Sequence, residues 1–503
     1  MNINKTIAVG NDVIKARKIS RVLLCTAPTV NKSGVTGHTM APPLGLMSII
    51  GYIRGILPDV EFFLKDFEAS LSTEYDVERA LKEIQPDIIG IQARSPVLPM
   101  AVKLAEQAKT LFPDILTILG GHHASTSANG DFPDIFDCVV PSEGENALVD
   151  LITWAREGVK WPRKHRGKPL AEYDYMPAWD LADQKIYRTP DSAFPVSSMG
   201  STLWSRGCAF ECVFCSGPGV WKDLKPRVKY RPVNRVVDEL ELLSTKYNIK
   251  RIYIHDDTLN TNVDILGRIC DEIIRRKVKI QWFGCGLRAD KSLTPQWIFE
   301  KMKQAGCWGI SFGVESGDQY VLDKIKKRVP LEDVTRALSL AKGAGLRTAA
   351  GFTVGHVWLD NNGKLTGETP ENLDKTVSFV KKLIDENLIY SIWVAIITPF
   401  PGSELWEYVK NSRVDMYDEF GETYLKNGRV RVMFKHPILS DDQIADYYTK
   451  IFHMVGFNFK HAIRRLLAVR EWGDLRGIIL GGIFVLKRTI PHAIKKFMHA
   501  KDK

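Results

Sequence analysis

The chain contains no run of about 18 uncharged apolar residues, the length a membrane-crossing helix needs. Its first residues, Met1 to Lys18, are polar and hold no apolar core of signal-peptide length. These two absences favour a cytoplasmic protein. Cysteine is sparse: eight in 503 residues is far too dilute for a secreted disulfide scaffold. Charge of one sign is also scarce over most of the length. Between Lys460 and Lys503, eleven Lys and Arg face three Asp and Glu, which supplies +8 of the formal +10 and leaves the body near neutral. That distribution argues against a nucleic-acid partner and for one basic tail with its own task. No Gly-x-Gly-x-x-Gly follows the first apolar run, so a nicotinamide site is not expected.

Apolar content of 45% and charged content of 25% are those of a globular protein, and the length is too great for a single core. After a polar tail (1–18), short apolar runs alternate with amphipathic stretches such as Val97–Leu111. The runs are Arg21–Ala27, Val60–Asp66, Asp87–Ala93, Ile115–Gly121 and Cys138–Gly144. This alternation predicts an α/β fold over residues 19–160, a doubly wound, Rossmann-like parallel sheet. Ligands of such sheets lie beyond the strand carboxyl ends. Those ends read Ser95-Pro96, Gly120-Gly121-His122-His123 and Ser142-Glu143-Gly144-Glu145, where glycine lets backbone approach a bulky ligand.

Residues 161–200 are rich in Pro, Lys and aromatics without a clear period and read as a linker. A second series spans 201–405, with strands at Thr202–Ser205, Arg251–Asp257, Ile280–Ala289, Trp308–Ser316, Arg347–Gly355 and Ser391–Pro399. Six strand–helix units predict a partial (β/α)6 barrel with its active residues at the strand C-termini. Residues 406–503 read as a helical, basic region.

Three cysteines stand together after the first barrel strand: Arg206-Gly-Cys208-Ala-Phe-Glu-Cys212-Val-Phe-Cys215-Ser-Gly-Pro218, spaced C-x3-C-x2-C. Three thiolates can hold three irons of a [4Fe–4S] cluster and leave the fourth iron open. A structural zinc site needs a fourth ligand, and no further Cys or His lies nearby. The other five, Cys25, Cys138, Cys270, Cys285 and Cys307, sit in apolar surroundings and read as core residues.

The motif and its position resemble the radical S-adenosylmethionine (SAM) superfamily. The resemblance implies that the open iron chelates SAM, and that reduction of the cluster cleaves SAM to a 5′-deoxyadenosyl radical. It implies SAM contacts at Phe214 (between the last two cysteines), at Asp256 and Asp257 (in place of the commoner Gly-Gly-Glu) and at Arg288, as a fork for the SAM carboxylate. It implies the same for Glu315, Ser316 and Gly317 of Gly313-Val-Glu-Ser-Gly317. Pro399-Phe-Pro-Gly402 closes the sixth strand of the same series.

The first sheet, with Pro42-Pro-Leu-Gly-Leu46, resembles the cobalamin-binding domain found ahead of many radical SAM domains. That resemblance implies a cobalamin pocket lined by Ser95, Gly120, Gly121, His122, Ser142, Glu143, Gly144 and Glu145. His122 and His123 read as pocket lining rather than as a shared metal site. The loop Pro28–Gly34 carries no Asp-x-His-x-x-Gly, and His38 reads as a loop residue, so cobalamin is expected base-off with no His ligand.

The leading expectation is a C-methyltransferase acting on an unactivated carbon of a small or lipid-like molecule. A low-potential donor such as flavodoxin or ferredoxin would supply electrons. The alternatives are a cyclase or oxidoreductase resembling the anaerobic magnesium-protoporphyrin ester cyclase, and a non-catalytic cobalamin or redox sensor. The tail mixes Trp472, Phe484 and Lys/Arg clusters, which reads either as a peripheral membrane anchor or as a helical cap over the barrel. No proton-transfer residue is assigned.

Overall fold

The computed structural model describes residues 15–28, 41–70, 72–127, 132–184, 186–187, 199–222, 224–416, 425–426, 429–430 and 432–456. Apart from residues 41 and 42, the described residues through Ala182 form one compact unit, and those from Asp183 onward form a second. The Pro28–Gly34 loop beyond Pro28, His38 and the basic tail lie outside the described residues.

In the first unit, strands β1 (Arg21–Thr26), β2 (Glu61–Asp66), β3 (Ile88–Gln92), β4 (Leu116–Gly120) and β5 (Cys138–Val139) form a five-stranded sheet in the order β2-β1-β3-β4-β5. Every pair in it is parallel. Helices α1 (Leu44–Ile53), α2 (Glu74–Ile84), α3 (Leu98–Leu111), α4 (His122–Thr126) and α5 (Glu145–Glu157) connect and follow the strands. Alternation along β1 sends Leu23 and Cys25 to a core containing Val77 and Leu81 of α2 and Leu104 and Ala108 of α3. Val22 and Leu24 point the other way, to a core with Ile50 of α1 and Leu151 of α5. Helices on both faces are why these strands read as nearly unbroken apolar runs. The order reverses between β1 and β3, so the crevice for a ligand lies outside the carboxyl ends of the strands at that switch point.

Residues 161–182, read from sequence as linker, are packed onto this unit. Lys164 makes a parallel bridge to Val139, and the Trp161 indole N–H donates to Leu151 O at 2.9 Å. Leu170 N donates to Glu143 Oε2 at 3.1 Å, and the Tyr173 hydroxyl donates to the same carboxylate. Trp161, Leu170, Tyr173, Ala178 and Trp179 are all buried. Aperiodic anchors of this kind leave no helical or strand signature. Glu143→Ala removes an acceptor shared by the Tyr173 hydroxyl and Leu170 N–H, which costs about 1–3 kcal/mol. Faster protease cleavage within 161–182 is the expected readout.

In the second unit β6 (Met199–Thr202) is followed by a hairpin, in which β7 (Ser205–Gly207) pairs antiparallel with β8 (Val228–Tyr230). The strands β9 (Arg251–Ile254), β10 (Gln281–Leu287), β11 (Cys307–Glu315) and β12 (Arg347–Val354) then join β6. After the small hairpin β13 (Val357–Leu359) and β14 (Leu365–Gly367), strand β15 (Ser391–Ile396) completes an open parallel sheet in the order β15-β12-β11-β10-β9-β6. Spatial order equal to chain order, with helices between, is the expected partial (β/α)6 barrel. Its helices include α6 (Gly217–Val220), α7 (Val233–Thr245), α8 (Val263–Arg276), α9 (Gln296–Gln304), α10 (Gln319–Lys324), α11 (Leu331–Gly343) and α12 (Pro370–Asp385). Helices α13 (Glu404–Asn411) and α14 (Asp441–Gly456) follow, with two short paired strands, Leu425–Lys426 and Arg429–Val430, between them. Cys25, Cys138, Cys270 and Cys307 are buried as expected, while Cys285 is half-buried. Among the described residues no helix is long and apolar enough to cross a membrane.

Candidate active site

The cysteine loop follows the β7 strand and is held by backbone and side-chain bonds on both sides. Gly207 sits at φ +99°, and a Cβ there would lie 2.0 Å from Arg227 O across the hairpin. Asp256, just past β9, accepts from Trp204 N at 2.7 Å and from Ser205 Oγ at 2.6 Å. Asp257 Oδ2 accepts from Gly207 N at 3.2 Å. Val213 N donates to Ile325 O at 3.0 Å, and Leu405 N donates to Val213 O at 2.9 Å. The loop is therefore tied to β9, to the end of α10 and to the start of α13.

Each cysteine has its own neighbour. Cys208 Sγ lies 3.4 Å from Thr258 Oγ1, and Gly217 N donates to Cys215 Sγ at 3.3 Å. Arg288 Nη1 donates to Cys212 Sγ at 3.8 Å. Burial pushes the Cys215 thiol up to about 12, with the neighbouring Cys212 and Cys208 adding to the rise. Burial also raises Cys212, against the lowering pull of Lys327 and Arg288. Ligation by iron supplies the positive charge that deprotonates such thiols. Among the described residues no three His, Cys, Asp or Glu side chains converge on a single ion. In a cubane each thiolate takes a different iron.

The structure separates the expected SAM residues. Phe214 lies tilted beside His356, a residue with no signal in the sequence, at 5.4 Å from ring centroid to ring centroid. Asp256 is wholly enclosed and acts on the loop's backbone, whereas Asp257 is exposed beside it. Glu315 closes β11 at φ +76°, with Oε1 3.2 Å from the buried Lys327 Nζ. Ser316 and Gly317 turn away to α12: Ser316 Oγ lies 3.1 Å from Thr376 Oγ1, and Gly317 N donates to that oxygen at 3.0 Å. The Arg288 fork is already taken by Asp290, at 2.9 and 3.3 Å.

Beside Phe214, further polar groups missed by sequence reasoning form a buried set. Glu368 Oε2 accepts from Gly355 N and His356 N at 2.8 and 2.9 Å. Burial raises its carboxyl to about 8 and lowers His356 to about 3. His436 Nδ1 accepts from the Ile438 and Leu439 amides, so its Nε2 carries the proton and faces His356 O at 3.3 Å.

Burial likewise raises the Asp256 carboxyl to about 7. Between about pH 4 and about 7 the folded chain therefore holds a proton that the unfolded chain has released. Stability falls as pH rises through that window. Asp256→Asn is expected to flatten this part of the stability–pH curve, measured by urea unfolding at a series of pH values.

In the first unit the strand ends form a second constellation. Gly121, at φ +88°, opens α4, and a Cβ there would meet Gln92 Cγ at 2.8 Å and Ala93 O at 3.1 Å. His123 Nδ1 lies 3.0 Å from Ser95 Oγ. Ser142, at φ +67°, donates its N–H to Ser125 Oγ at 2.9 Å, and Ser125 Oγ donates to Gly121 O at 2.9 Å. Burial holds His122 and His123 below the usual histidine range, and so neutral. Gly120 ends β4, and Gly144 caps α5 against Ile49. Glu143 and Glu145 are buried and turn to Leu170 and Tyr173, and to Tyr175 at 2.9 Å. Their carboxylates clamp the 161–182 segment.

Gln92 Oε1, at the end of β3, is buried with no hydrogen-bond partner among the described residues. An orphaned acceptor at the crevice fits a ligand bearing amide donors, and the corrin ring of cobalamin carries a rim of them. The two donor sets, three cysteines in one unit and this crevice in the other, thus fit an iron–sulfur cluster and cobalamin respectively.

Comparison with known proteins finds both domains. The family model described as B12 binding domain matches residues 34–152, and that of the Radical SAM superfamily matches residues 202–380. An uncharacterised methyltransferase of Pyrococcus horikoshii is 28% identical, over 90% of this chain and 99% of its own length. The anaerobic magnesium-protoporphyrin IX monomethyl ester cyclase of Rubrivivax gelatinosus is 27% identical, over 75% of this chain and 68% of its own. The solved structure of the radical SAM methyltransferase TsrM from Kitasatospora setae shares the fold, with a TM-score of 0.66 at 15% identity, over 93% of this chain and 100% of that one. The chain belongs to the cobalamin-binding radical SAM enzymes, in which a B12-binding domain precedes a radical SAM domain.

Proposed function

We propose that the protein is a C-methyltransferase that places a methyl group from SAM on an unactivated carbon of a small or lipid-like substrate. The observation that carries methyl transfer over ring closure is the end-to-end match to a methyltransferase, against a partial match to a longer cyclase. When bound, the cluster and SAM supply a carbon-centred radical and cobalamin carries the methyl group.

The chain's own residues divide the work. Cys208, Cys212 and Cys215 hold three irons. Phe214 lies against His356 and presents backbone and ring near the adenine. Asp257, exposed beside the loop, takes the SAM amino group, while Asp256 fixes the loop that carries the cysteines. Glu315, braced by Lys327, faces the ribose and methionine end. In the other unit Ser95, Gly120, Gly121, His122 and Ser142 line the corrin, and Gln92 accepts from one of its amides. The neutral His122 adds contact without charge.

An external low-potential donor such as flavodoxin or ferredoxin supplies the electron. We place the protein in the cytoplasm, with the basic residues between Lys460 and Lys503 as a peripheral contact for anionic membrane. The test is anaerobic incubation of the loaded enzyme with a cell extract and SAM carrying a deuterated methyl group. A product bearing the intact deuterated methyl supports the reading. An oxidised or cyclised product without label assigns the protein to ring closure instead, and SAM left uncleaved reduces it to a sensor.

A further inference from the structure

Arg288 closes β10, a position from which a guanidinium could fork onto the carboxylate of a small ligand. Here every edge of the fork has an internal partner. Nε and Nη2 donate to Asp290 at 2.9 and 3.3 Å, and Nη2 also donates to Lys327 O at 2.6 Å. The backbone is fixed as well: Arg288 N donates to Asn260 Oδ1 at 3.0 Å, and Asn260 Nδ2 donates to Arg288 O at 2.8 Å. The guanidinium plane lies 3.7 Å from the ring centroid of Phe210, inside the cysteine loop. Only Nη1 faces outward from this clamp, and it meets Cys212 Sγ at 3.8 Å. The residue is 5% exposed.

We propose that Arg288 is a positioning residue for the cluster rather than a clamp on SAM: it holds the positive end of the Arg288–Asp290 pair against the Cys212 sulfur and so eases one-electron reduction of the cluster. This rests on the reading of Cys208, Cys212 and Cys215 as the iron ligands. Reduction adds negative charge to the cluster, and a fixed cation in a buried site stabilises the reduced form more than the oxidised one. An N–H···S bond to a ligating sulfur acts in the same direction. Asp290 bonds the Nε/Nη2 edge and leaves Nη1 as the group that reaches the sulfur, so the pair presents its positive end to Cys212. The second nearby cation, Lys327, is likewise paired, with Glu315 at 3.2 Å. The planar fork serves Asp290, Lys327 O and Phe210 at once, while the positive charge is what acts on the sulfur.

The test uses the full chain loaded anaerobically with iron and sulfide, without SAM, in a redox titration followed by electron paramagnetic resonance. At the wild-type midpoint, Arg288→Gln should lower the reduced-to-oxidised ratio about tenfold, which is about 59 mV for one electron. Arg288→Lys keeps the charge and should stay within about threefold of wild type. SAM affinity, measured on the same proteins by equilibrium dialysis, should change less than about threefold in both. An unchanged ratio in Arg288→Gln overturns the proposal. If SAM binding is then weakened about tenfold, Arg288 is a substrate clamp, and if it is not, the residue serves packing alone. Should Arg288→Gln fail to hold iron, Arg288→Lys decides. Full iron with a near-wild-type ratio upholds the proposal, and loss of iron there too overturns it. A wild-type chain that takes up no cluster refutes the underlying ligand reading instead.

Discussion

Cys212→Ala is expected to leave a folded protein that binds no stable cluster and forms 5′-deoxyadenosine at least about three orders of magnitude more slowly than wild type. The loss is large because the three thiolates have no substitute. Two cysteines cannot retain three irons. The fold should survive, because the Cys212 side chain is half-buried and is held by a long N–H···S bond from Arg288. A change in unfolding free energy within about 1 kcal/mol is expected. Iron and sulfide content, visible absorbance and the thermal transition, measured together, separate loss of the cluster from loss of the fold.

Gly207→Ala should have the second largest effect, through the backbone rather than the chemistry. The residue combines φ +99° with an ideal Cβ position 2.0 Å from Arg227 O. The hairpin must open to admit a methyl group, and the strain costs about 3 kcal/mol or more. Opening it also disturbs the bond from Gly207 N to Asp257 Oδ2, at 3.2 Å, that ties the cysteine loop to β9. Reduced iron content and a lowered melting temperature should appear together. Gly363→Ala is the control: its φ is +75°, but no atom lies within 4 Å of the new Cβ. That variant should lose only about 1 kcal/mol and keep its cluster.

The contrast between these sites explains what could be read before the structure. The strands were legible because a parallel sheet covered on both faces writes itself as apolar runs at regular spacing, as in Ile88–Gln92. The cysteine loop was legible because its spacing is local, with all three ligands inside eight residues. The orientation of charged residues was not. Glu143 and Glu145 follow a strand end just as ligand residues do, yet their partners, Leu170, Tyr173 and Tyr175, lie about thirty positions on. Ser316 and Gly317 are likewise claimed by Thr376, sixty positions away. The linker reading of 161–200 failed over 161–182 because isolated Trp, Tyr and Leu anchors carry no period. Lys327, His356, Glu368 and Gln92 gave no signal because each depends on neighbours from other strands and loops.

The most direct measurement is an anaerobic assay of the reconstituted enzyme, loaded with cluster and cobalamin, with SAM, a low-potential reductant and the substrate found in the labelled-extract screen. Mass spectrometry would follow 5′-deoxyadenosine and S-adenosylhomocysteine over time. Radical methyl transfer predicts both, rising in step with the methylated product and each abolished in that product-forming ratio by Cys212→Ala. Formation of 5′-deoxyadenosine with no S-adenosylhomocysteine and no methylated product would contradict it.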